Sequence, residues 1–371
     1  MSSFKMPLEG FTLEYLTKPI RGILLQPILT AAVVLASMKK PQDVSNMLSI
    51  VSTGKVSPAV FDRTMKVLLG AGILYRLNNL LTKLVLNNWV SDRTWDWKRE
   101  VVLVTGGCSG IGELIVHKLT EKNIKVAVLD INPPRSPLPT NAVFYKTDVT
   151  SSEEIHAVAE KIRQELGHPT VLINNAGIGS CQAILVESEA SIRRTFDVNI
   201  IAHFLLVREF VPHMIERNHG HIVTIASMAS FLVHASNVDY ACTKAAALVF
   251  HEGLAQELKT NYGANKVRTT YDLPLLFHNN RIRTDQFRRV VHPTWVRTSL
   301  IDMLSRKKDF NEFVIEPETV ANAVVAQILS RESAQLILTG RYAFATTIRG
   351  WPGWLQESAR NSVANLLRNA A

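Results

Sequence analysis

The chain has 371 residues, of which 47% are apolar and 20% are charged, so it can bury one substantial α/β core and still carry a further segment. Its three cysteines, Cys108, Cys181 and Cys242, show neither a disulfide framework nor a metal-binding spacing, which favours a reducing compartment and predicts no metal site. The net charge of +9 does not indicate nucleic-acid binding, because residues 1–100 hold 13 Lys and Arg against 7 Asp and Glu and no basic helix with interleaved aromatic residues occurs. A membrane surface explains this basic excess better.

The first apolar stretch, residues 22–38, contains no charged side chain and lies between Arg21 and the pair Lys39 and Lys40. Its seventeen residues are at the short end for a spanning helix, which needs ~20, and a Gln-Pro pair interrupts it. We predict an uncleaved anchor with the lysines, and the chain that follows them, on the cytosolic side. A buried core helix and a cleaved signal peptide are the alternatives, although lysines rather than small residues follow the apolar run.

The second N-terminal stretch, residues 59–90, has apolar residues at helical spacing among Lys66, Arg76 and Lys83. This pattern is typical of an amphipathic helix that lies in the membrane interface. A helix packed on the protein core is nearly as good an explanation. The two stretches together make residues 1–95 a predicted N-terminal membrane-associated segment.

A glycine-rich loop begins the predicted catalytic region. Residues 100–104 are a short apolar, β-branched run that reads as a buried parallel strand, and a helical pattern follows the loop. In this strand–turn–helix context Gly106 permits a tight turn, Gly110 allows the backbone to approach a pyrophosphate, and Gly112 allows close packing of helix on strand. The helix N-terminus would face the phosphates with its unpaired N–H groups, so the loop predicts a dinucleotide site.

The second predicted strand, residues 125–130, ends at Asp130, eighteen residues after Gly112. A carboxylate at this place accepts hydrogen bonds from the adenosine ribose hydroxyls and repels a 2′-phosphate, so it favours NAD over NADP. A turn or capping role for Asp130 is the alternative. NADP stays open, because Arg135 follows in a proline-rich loop and could meet a 2′-phosphate.

Tyr240 and Lys244 stand four residues apart in a helical pattern, so they share one helix face. We expect the Lys244 ammonium to lower the pKa of the Tyr240 phenol from ~10 towards working pH. The phenol would exchange a proton with an alcohol oxygen while a nicotinamide exchanges hydride with the carbon. Ser227, thirteen residues before Tyr240, would stabilise charge on the reacting oxygen. A solvated helix face and a serine bonded to backbone are the alternatives.

Residues 271–289 fit no predicted element. They contain a proline, an Asn pair and four arginines, and they separate a strand that starts at residues 266–270 from its expected continuation at residues 290–293. An insertion inside a central parallel strand breaks ladder hydrogen bonds. We interpret the segment as a retained intron or splice variant; the alternative is a genuine excursion at the strand edge. Farther on, Trp351 and Trp354 could supply interfacial aromatics near a substrate entrance or cap the fold.

Taken in chain order, these motifs resemble the classical short-chain dehydrogenase/reductase family over residues 101–298, roughly half the chain. Five sequence segments are similar to those of its membrane-associated branch, the retinol and hydroxysteroid dehydrogenases: VLDIN, INNAG, FDVNIIAHF, NHGHIVTIAS and VVHPTWVRT. The resemblance implies a Rossmann-type, doubly wound parallel sheet in a catalytic domain over residues 96–345, after the N-terminal helical segment and before a C-terminal helical tail, residues 346–371.

The resemblance also implies roles. Tyr240 would be the acid/base, Lys244 would bind the nicotinamide ribose, Ser227 would hold the reacting oxygen, and Asn199 would help position a water that relays protons, unless it only caps or kinks its helix. The cofactor-binding residues implied are Thr105, Gly106, Ser109, Gly110, Ile111, Gly112, Asp130, Asp148, Val149, Asn175, Ala176, Gly177, Tyr240, Lys244, Val296 and Thr298. Thr294 departs from the family, which usually has glycine there.

The resemblance implies an NAD(P)-dependent oxidoreductase that interconverts a lipophilic alcohol, of retinol, steroid or long-chain type, with its carbonyl. It would act at an endoplasmic reticulum or lipid-droplet membrane, with homodimer formation left open. One alternative is a catalytically silent NAD-binding protein of membrane or lipid-droplet surfaces. Another is epimerisation or dehydration by the same Tyr240–Lys244 pair.

Overall fold

The computed structural model describes residues 22–44, 46, 57–270, 295–298, 314–334 and 347–363. The segment 271–289 lies outside these described residues, as do residues 290–293 and Thr294. The chain forms two compact units: the described residues from 22 to 85 belong to one, and those from 86 onward belong to the other.

The larger unit is built on a six-stranded parallel sheet. Its strands are β1 (Val101–Thr105), β2 (Lys125–Asp130), β3 (Ala142–Lys146), β4 (Val171–Asn174), β5 (Gly220–Thr224) and β6 (Val267–Thr270). They lie in the order β3-β2-β1-β4-β5-β6. β1, β4 and β5 are buried along their whole length, as expected for β-branched runs covered on both faces. The sheet confirms the predicted Rossmann-type fold.

Helices pack on both faces of this sheet. The described helices of the larger unit are α3 (Gly110–Thr120), α4 (Ser152–Glu165), α5 (Glu189–Phe196), a π-helix (Asp197–Ile201), α6 (Ala202–Arg217), α7 (Val238–Thr260), α8 (Pro317–Ser330) and α9 (Gly353–Val363). Because strand side chains alternate between faces, Val102 and Val104 pack with α3 and α8, whereas Leu103 packs with α4 and α6. These two apolar layers hold the larger unit together.

The strand order reverses between β1 and β4. The chain runs outward through β2 and β3 and then returns to pair β4 against the other side of β1. In doubly wound sheets ligands bind in the crevice at the carboxyl ends of the strands that flank such a switch point. The glycine-rich loop after β1 and the segment after β4 are therefore placed at the expected ligand crevice.

Residues beyond β6 add a short second sheet. β7 (Trp295–Val296) pairs in parallel with β8 (Val314–Ile315). β6 makes its own further contact at Thr270, which bridges to Ala334.

The smaller unit contains two helices, α1 (Pro27–Lys39) and α2 (Pro58–Leu86). Ser37 Oγ donates a 2.9 Å hydrogen bond to Asp62 Oδ1, Arg76 hydrogen-bonds Gln26, and Gly72 packs against the main chain of Leu25. The predicted helix over residues 59–90 therefore forms, four residues shorter at its end.

Among the described residues, one helical stretch has the length and apolar character to cross a membrane, and it is Glu189–Arg217 in the larger unit. It packs on the central sheet through residues such as Leu206 and Phe210, which are buried in the core. Its hydropathy is that of a core helix. The predicted anchor, residues 22–38, overlaps the shorter apolar helix α1, which ends at Lys39.

Candidate active site

The glycine-rich loop joins β1 to α3 with two residues in the left-handed region, Gly106 (φ +64°) and Gly110 (φ +56°), which favours glycine at both positions. Gly112 is required for a different reason. A Cβ at this residue would stand 2.2 Å from the Gly106 carbonyl oxygen and 2.6 Å from Asn175 Nδ2. The three glycines therefore let the first turn of α3 pack tightly against the ends of β1 and β4, as the sequence predicts.

The first turn of α3 suits an anionic ligand. Ser109 is the N-cap residue of this helix, and among the described residues its side chain makes no capping hydrogen bond. The first N–H groups of the helix are therefore available to a ligand or to water. Backbone N–H groups at a helix N-terminus together with the helix dipole bind phosphate. Ser109 is exposed, Ile111 is half-buried, and Thr298 Cγ2 lies 3.3 Å from the position that a Cβ on Gly110 would take. These residues fit a dinucleotide pyrophosphate.

The segment after β4 is tied to the glycine loop by its polar side chains. Thr105 Oγ1 accepts hydrogen bonds from the backbone N–H groups of Asn175 and Ala176, both at 3.1 Å. Asn175 Nδ2 donates in turn to the carbonyl oxygens of Thr105 (2.9 Å) and Gly106 (3.1 Å). Thr105 and the Asn175 side chain therefore shape the crevice between β1 and β4.

Asp130 stands at the end of β2 beside the glycine loop. Its Oδ2 accepts from the Cys108 backbone N–H at 3.1 Å, and its Oδ1 accepts from that of Asn132 at 3.0 Å. Each carboxylate oxygen has a second lone pair, so these capping contacts leave acceptor capacity. The structure thus gives Asp130 the capping role that the sequence left as the alternative, and a location that suits the ribose role as well.

Asp148 and Val149 follow β3. Burial raises the pKa of the Asp148 carboxyl, but hydrogen bonds from the Thr150 backbone N–H (2.9 Å) and hydroxyl (2.7 Å) outweigh burial and lower it overall. Val149 is buried in the layer that holds Leu103 and α4. Val296, in β7, is buried in the opposite layer.

The predicted catalytic side chains meet at the carboxyl end of β5. Ser227 precedes a 3₁₀ turn (Met228–Ser230), and its hydroxyl accepts from Ala229 N at 3.2 Å and lies close enough to the Tyr240 phenol to lower the pKa of that phenol. Lys244 lies one turn after Tyr240 on α7, with its Nζ 5.5 Å from the Tyr240 ring centroid. The Lys244 ammonium donates to the Ile225 carbonyl oxygen at 2.9 Å.

The electrostatics of this pair correct one prediction. Burial raises the pKa of Tyr240 to about 12, although the hydrogen bond with Ser227 opposes the rise. Burial also lowers the pKa of Lys244 to about 8. The prediction that Lys244 brings the Tyr240 pKa below its ordinary value is therefore wrong. Desolvation is the largest cause of the pKa shift of each group, and the Lys244 ammonium is directed at the Ile225 carbonyl.

Asn199 lies in the π-helix, a local widening that occurs often at functional sites. Its Oδ1 accepts from Ile178 N and its Nδ2 donates to Ile178 O, both at 2.8 Å. The Asn199 Oδ1 and Lys244 Nζ lie 3.5 and 3.4 Å from the position of a Cβ on Gly177. The structure therefore brings Asn199, Lys244 and the segment after β4 together.

Two hydroxyl side chains that contact the catalytic residues were not predicted from the sequence. Thr243 contacts both Asn199 and the Tyr240 main chain, and Ser230 donates to the Lys244 carbonyl oxygen at 2.9 Å. Thr243 lies between Tyr240 and Lys244, so its position in this motif could have indicated that it belongs to the site. The contact of Ser230 depends on the 3₁₀ turn, which the sequence does not reveal.

A parallel doubly wound sheet, an open helix N-terminus at its switch point and a Ser227–Tyr240–Lys244 cluster define a dinucleotide-dependent oxidoreductase. The short chain dehydrogenase family model matches residues 100–270. The dehydrogenase RED2 of Cochliobolus heterostrophus is 49% identical over 199 residues, which cover 53% of this chain and 75% of the relative. Estradiol 17-beta-dehydrogenase 11 of Mus musculus is 34% identical over 192 residues, 50% of this chain and 64% of the relative.

The fold agrees with these matches. The ligand-free aldohexose dehydrogenase of Thermoplasma acidophilum superposes with a TM-score of 0.52 at 22% identity, over 66% of this chain and 94% of that one. The chain belongs to the short-chain dehydrogenase/reductase family, in the hydroxysteroid- and retinol-dehydrogenase-like branch of its classical members. It is an NAD(P)-dependent oxidoreductase that acts on CH–OH groups.

Proposed function

We propose that this enzyme interconverts a lipophilic alcohol with its carbonyl and uses NAD(H), with Tyr240, Ser227, Lys244 and Asn199 as its catalytic residues. The observation that carries the proposal is the grouping of Ser227, Tyr240 and Lys244 at the carboxyl end of β5, with Lys244 Nζ 5.5 Å from the Tyr240 ring centroid. A reacting oxygen bound between the Ser227 hydroxyl and the Tyr240 phenol would meet a proton donor and a polarising hydroxyl at once.

The side chains divide the work. The nicotinamide, when bound, supplies or accepts the hydride. Tyr240 gives its proton to the carbonyl oxygen in reduction and recovers it from the alcohol in oxidation, and its pKa of about 12 keeps it a proton donor at neutral pH. Ser227 donates to the oxygen as charge develops there. Lys244, whose pKa is about 8, contributes a positive charge beside Tyr240 at neutral pH.

The lipophilic substrate class is supported by the apolar surroundings of the catalytic residues. Met228, Phe231 and Leu232 follow Ser227 and pack with Leu248 and Ile348 into one buried cluster. On the other side, Gly179 packs against the Tyr240 ring, and the loop that follows exposes Leu185 almost fully, at 98%. The name of the mouse relative, an estradiol dehydrogenase, points to the same class of substrate.

The preference for NAD rests on Asp130, which lies beside the glycine loop where the adenosine ribose would bind. NADP remains the second candidate. We assign the cofactor contacts to the residues predicted from the sequence, with Thr105 and Asn175 shaping the crevice and Ser109, Ile111 and Thr298 bordering the phosphates.

We also propose that the N-terminal helices attach the enzyme to a membrane of the endoplasmic reticulum or a lipid droplet, with the catalytic domain facing the cytosol. α1 and α2 both expose large apolar side chains, among them Ile28, Leu35, Val67 and Leu74. Exposed apolar surface of this extent marks an interaction site, and a lipid phase would also deliver the substrate.

The experiment is a substrate screen with the purified full chain in detergent, in which NADH absorbance is followed with retinoids, steroids and long-chain alcohols and carbonyls. We expect turnover with at least one lipophilic class. NADH binding without turnover on any of them would favour the alternative of a catalytically silent surface protein. Turnover without net change in the dinucleotide would favour epimerisation or dehydration.

A further inference from the structure

Thr243 connects two segments of the active site that are far apart in the sequence, α7 and the π-helix. It lies on α7 between Tyr240 and Lys244 and is completely buried. Its hydroxyl donates to the Tyr240 carbonyl oxygen at 2.7 Å and accepts from Asn199 Nδ2 at 3.0 Å. A hydroxyl has a single proton, so donation to the Tyr240 main chain leaves Thr243 only an acceptor towards Asn199.

The Asn199 amide is fixed by this contact and by two others. Its Oδ1 accepts from Ile178 N, and its first Nδ2 proton goes to Ile178 O. Thr243 takes the second Nδ2 proton. Asn199 and Thr243 are completely buried and Ile178 is half-buried, and a buried polar atom without a partner is costly. The amide consequently has one favourable orientation, in which Oδ1 faces the segment that carries Gly177.

We propose that Thr243 is a positioning residue, which holds the Asn199 amide and thereby the polar surroundings of the Lys244 ammonium. Lys244 Nζ and Asn199 Oδ1 both lie near Gly177, because a Cβ on this glycine would stand 3.4 Å from the first atom and 3.5 Å from the second. Thr243 acts through Asn199 and touches no reacting atom. The inference rests on the proposed function, because it concerns the same catalytic residues.

Three variants of the full chain test the role. Thr243→Val keeps the shape and removes the hydroxyl, whereas Thr243→Ser keeps the hydroxyl and removes the methyl group. Thr260→Val is the matched control. Thr260 lies on the same helix and also donates to a main-chain carbonyl, that of Gln256 four residues back, but it lies at the surface. Each variant is measured for kcat, KM for NADH and the pH profile of kcat in carbonyl reduction.

We expect Thr243→Val to lower kcat about tenfold or more while KM for NADH changes by less than about threefold. The pH at which kcat declines should shift as well, because a released Asn199 amide no longer fixes the surroundings of Lys244. Thr243→Ser should restore kcat to within about threefold and restore the profile. Thr260→Val should match the parent enzyme in all three quantities.

A lower melting temperature in Thr243→Val with kcat and pH profile unchanged would overturn the inference, because Thr243 would then only support the fold. Equal losses in Thr243→Val and Thr243→Ser would overturn it too, since the methyl group and not the hydroxyl would matter. The proposed function fails by a different result, namely that Tyr240→Phe retains turnover. Should the parent enzyme reduce nothing, the emission of bound NADH decides: an identical spectrum in Thr243→Val overturns the positioning role.

Discussion

At the residue scale, burial controls the active-site electrostatics. Tyr240 and Lys244 share a helix face, as their spacing predicts, yet burial shifts each pKa against its charged form. Sequence spacing shows which groups can meet but does not reveal how deeply they are buried. The same limit applies to Asp130, whose capping contacts depend on loop geometry.

The Lys244 pKa gives a pH prediction for carbonyl reduction. The ammonium is present below a pKa of about 8 and is lost as the pH rises through that value. We therefore expect kcat/KM, which reports the free enzyme, to be constant around pH 7 and to fall above about pH 8. A rate that stays flat from pH 7 to pH 10 would contradict this assignment. The measurement is a pH–rate profile followed by NADH absorbance.

The Asp130 carboxylate gives a prediction about cofactor choice. We expect NADH to bind more tightly than NADPH, and Asp130→Ala to narrow the ratio of the two dissociation constants about tenfold, because it removes repulsion of the 2′-phosphate. Binding is followed by dinucleotide fluorescence. Arg135→Ala is measured alongside Asp130→Ala. If this variant loses NADPH binding but keeps NADH binding, Arg135 binds the 2′-phosphate. Tighter binding of NADPH by the parent protein would refute the NAD preference.

At the element scale, the strand–glycine turn–helix unit could be predicted almost completely. Its strand is β-branched, its loop glycines are forced by positive φ or by contact, and its helix pattern is local. Contacts between distant segments could not be predicted. His219, just before β5, for instance pairs with Asp92 at 2.6 Å and with Glu100 at 3.2 Å. No sequence pattern around His219 or around the two acidic residues predicts these contacts.

Gly112 gives the sharpest test of the glycine unit. Gly112→Ala places a Cβ 2.2 Å from the Gly106 carbonyl oxygen, so the loop and α3 must move apart. We expect dinucleotide affinity to fall at least about tenfold and the melting temperature to drop.

Gly253→Ala is the control, because among the described residues no atom lies within 4 Å of its added Cβ inside α7. It should leave binding unchanged and stabilise the fold by roughly 0.5–1 kcal/mol. Similar affinities in the two variants would show that tight packing at Gly112 is not needed for binding.

At the scale of the whole molecule, the doubly wound parallel sheet could be predicted from the sequence, since alternating strands and helices favour it, whereas the order of its strands was not predicted. The N-terminal helices are less determined. α1 is an apolar helix of thirteen residues, and residues 59–90 have an amphipathic pattern. Either segment could lie against a membrane or against a protein surface, because both environments bury the same apolar side chains. The interpretation of residues 271–289 as a retained intron stays a prediction.

Membrane attachment can be measured directly. Deleting residues 1–55 should release much of the protein from carbonate-washed membranes, with some association remaining through α2 if that helix lies in the interface. Fractionation followed by immunoblotting, compared with the full chain, gives the result. A full chain that stays in solution without detergent would refute the attachment.

The central claim is that Tyr240 carries the proton while the rest of the site binds the dinucleotide. Tyr240→Phe removes only the phenol oxygen, so NADH affinity should stay within about threefold while kcat falls by at least about a thousandfold. Tyr262→Phe is the matched control, since Tyr262 is half exposed just after α7 and should keep full activity. Both are measured on the best substrate of the screen by NADH absorbance and fluorescence. A Tyr240→Phe variant that binds NADH and keeps near-parent kcat would contradict the account.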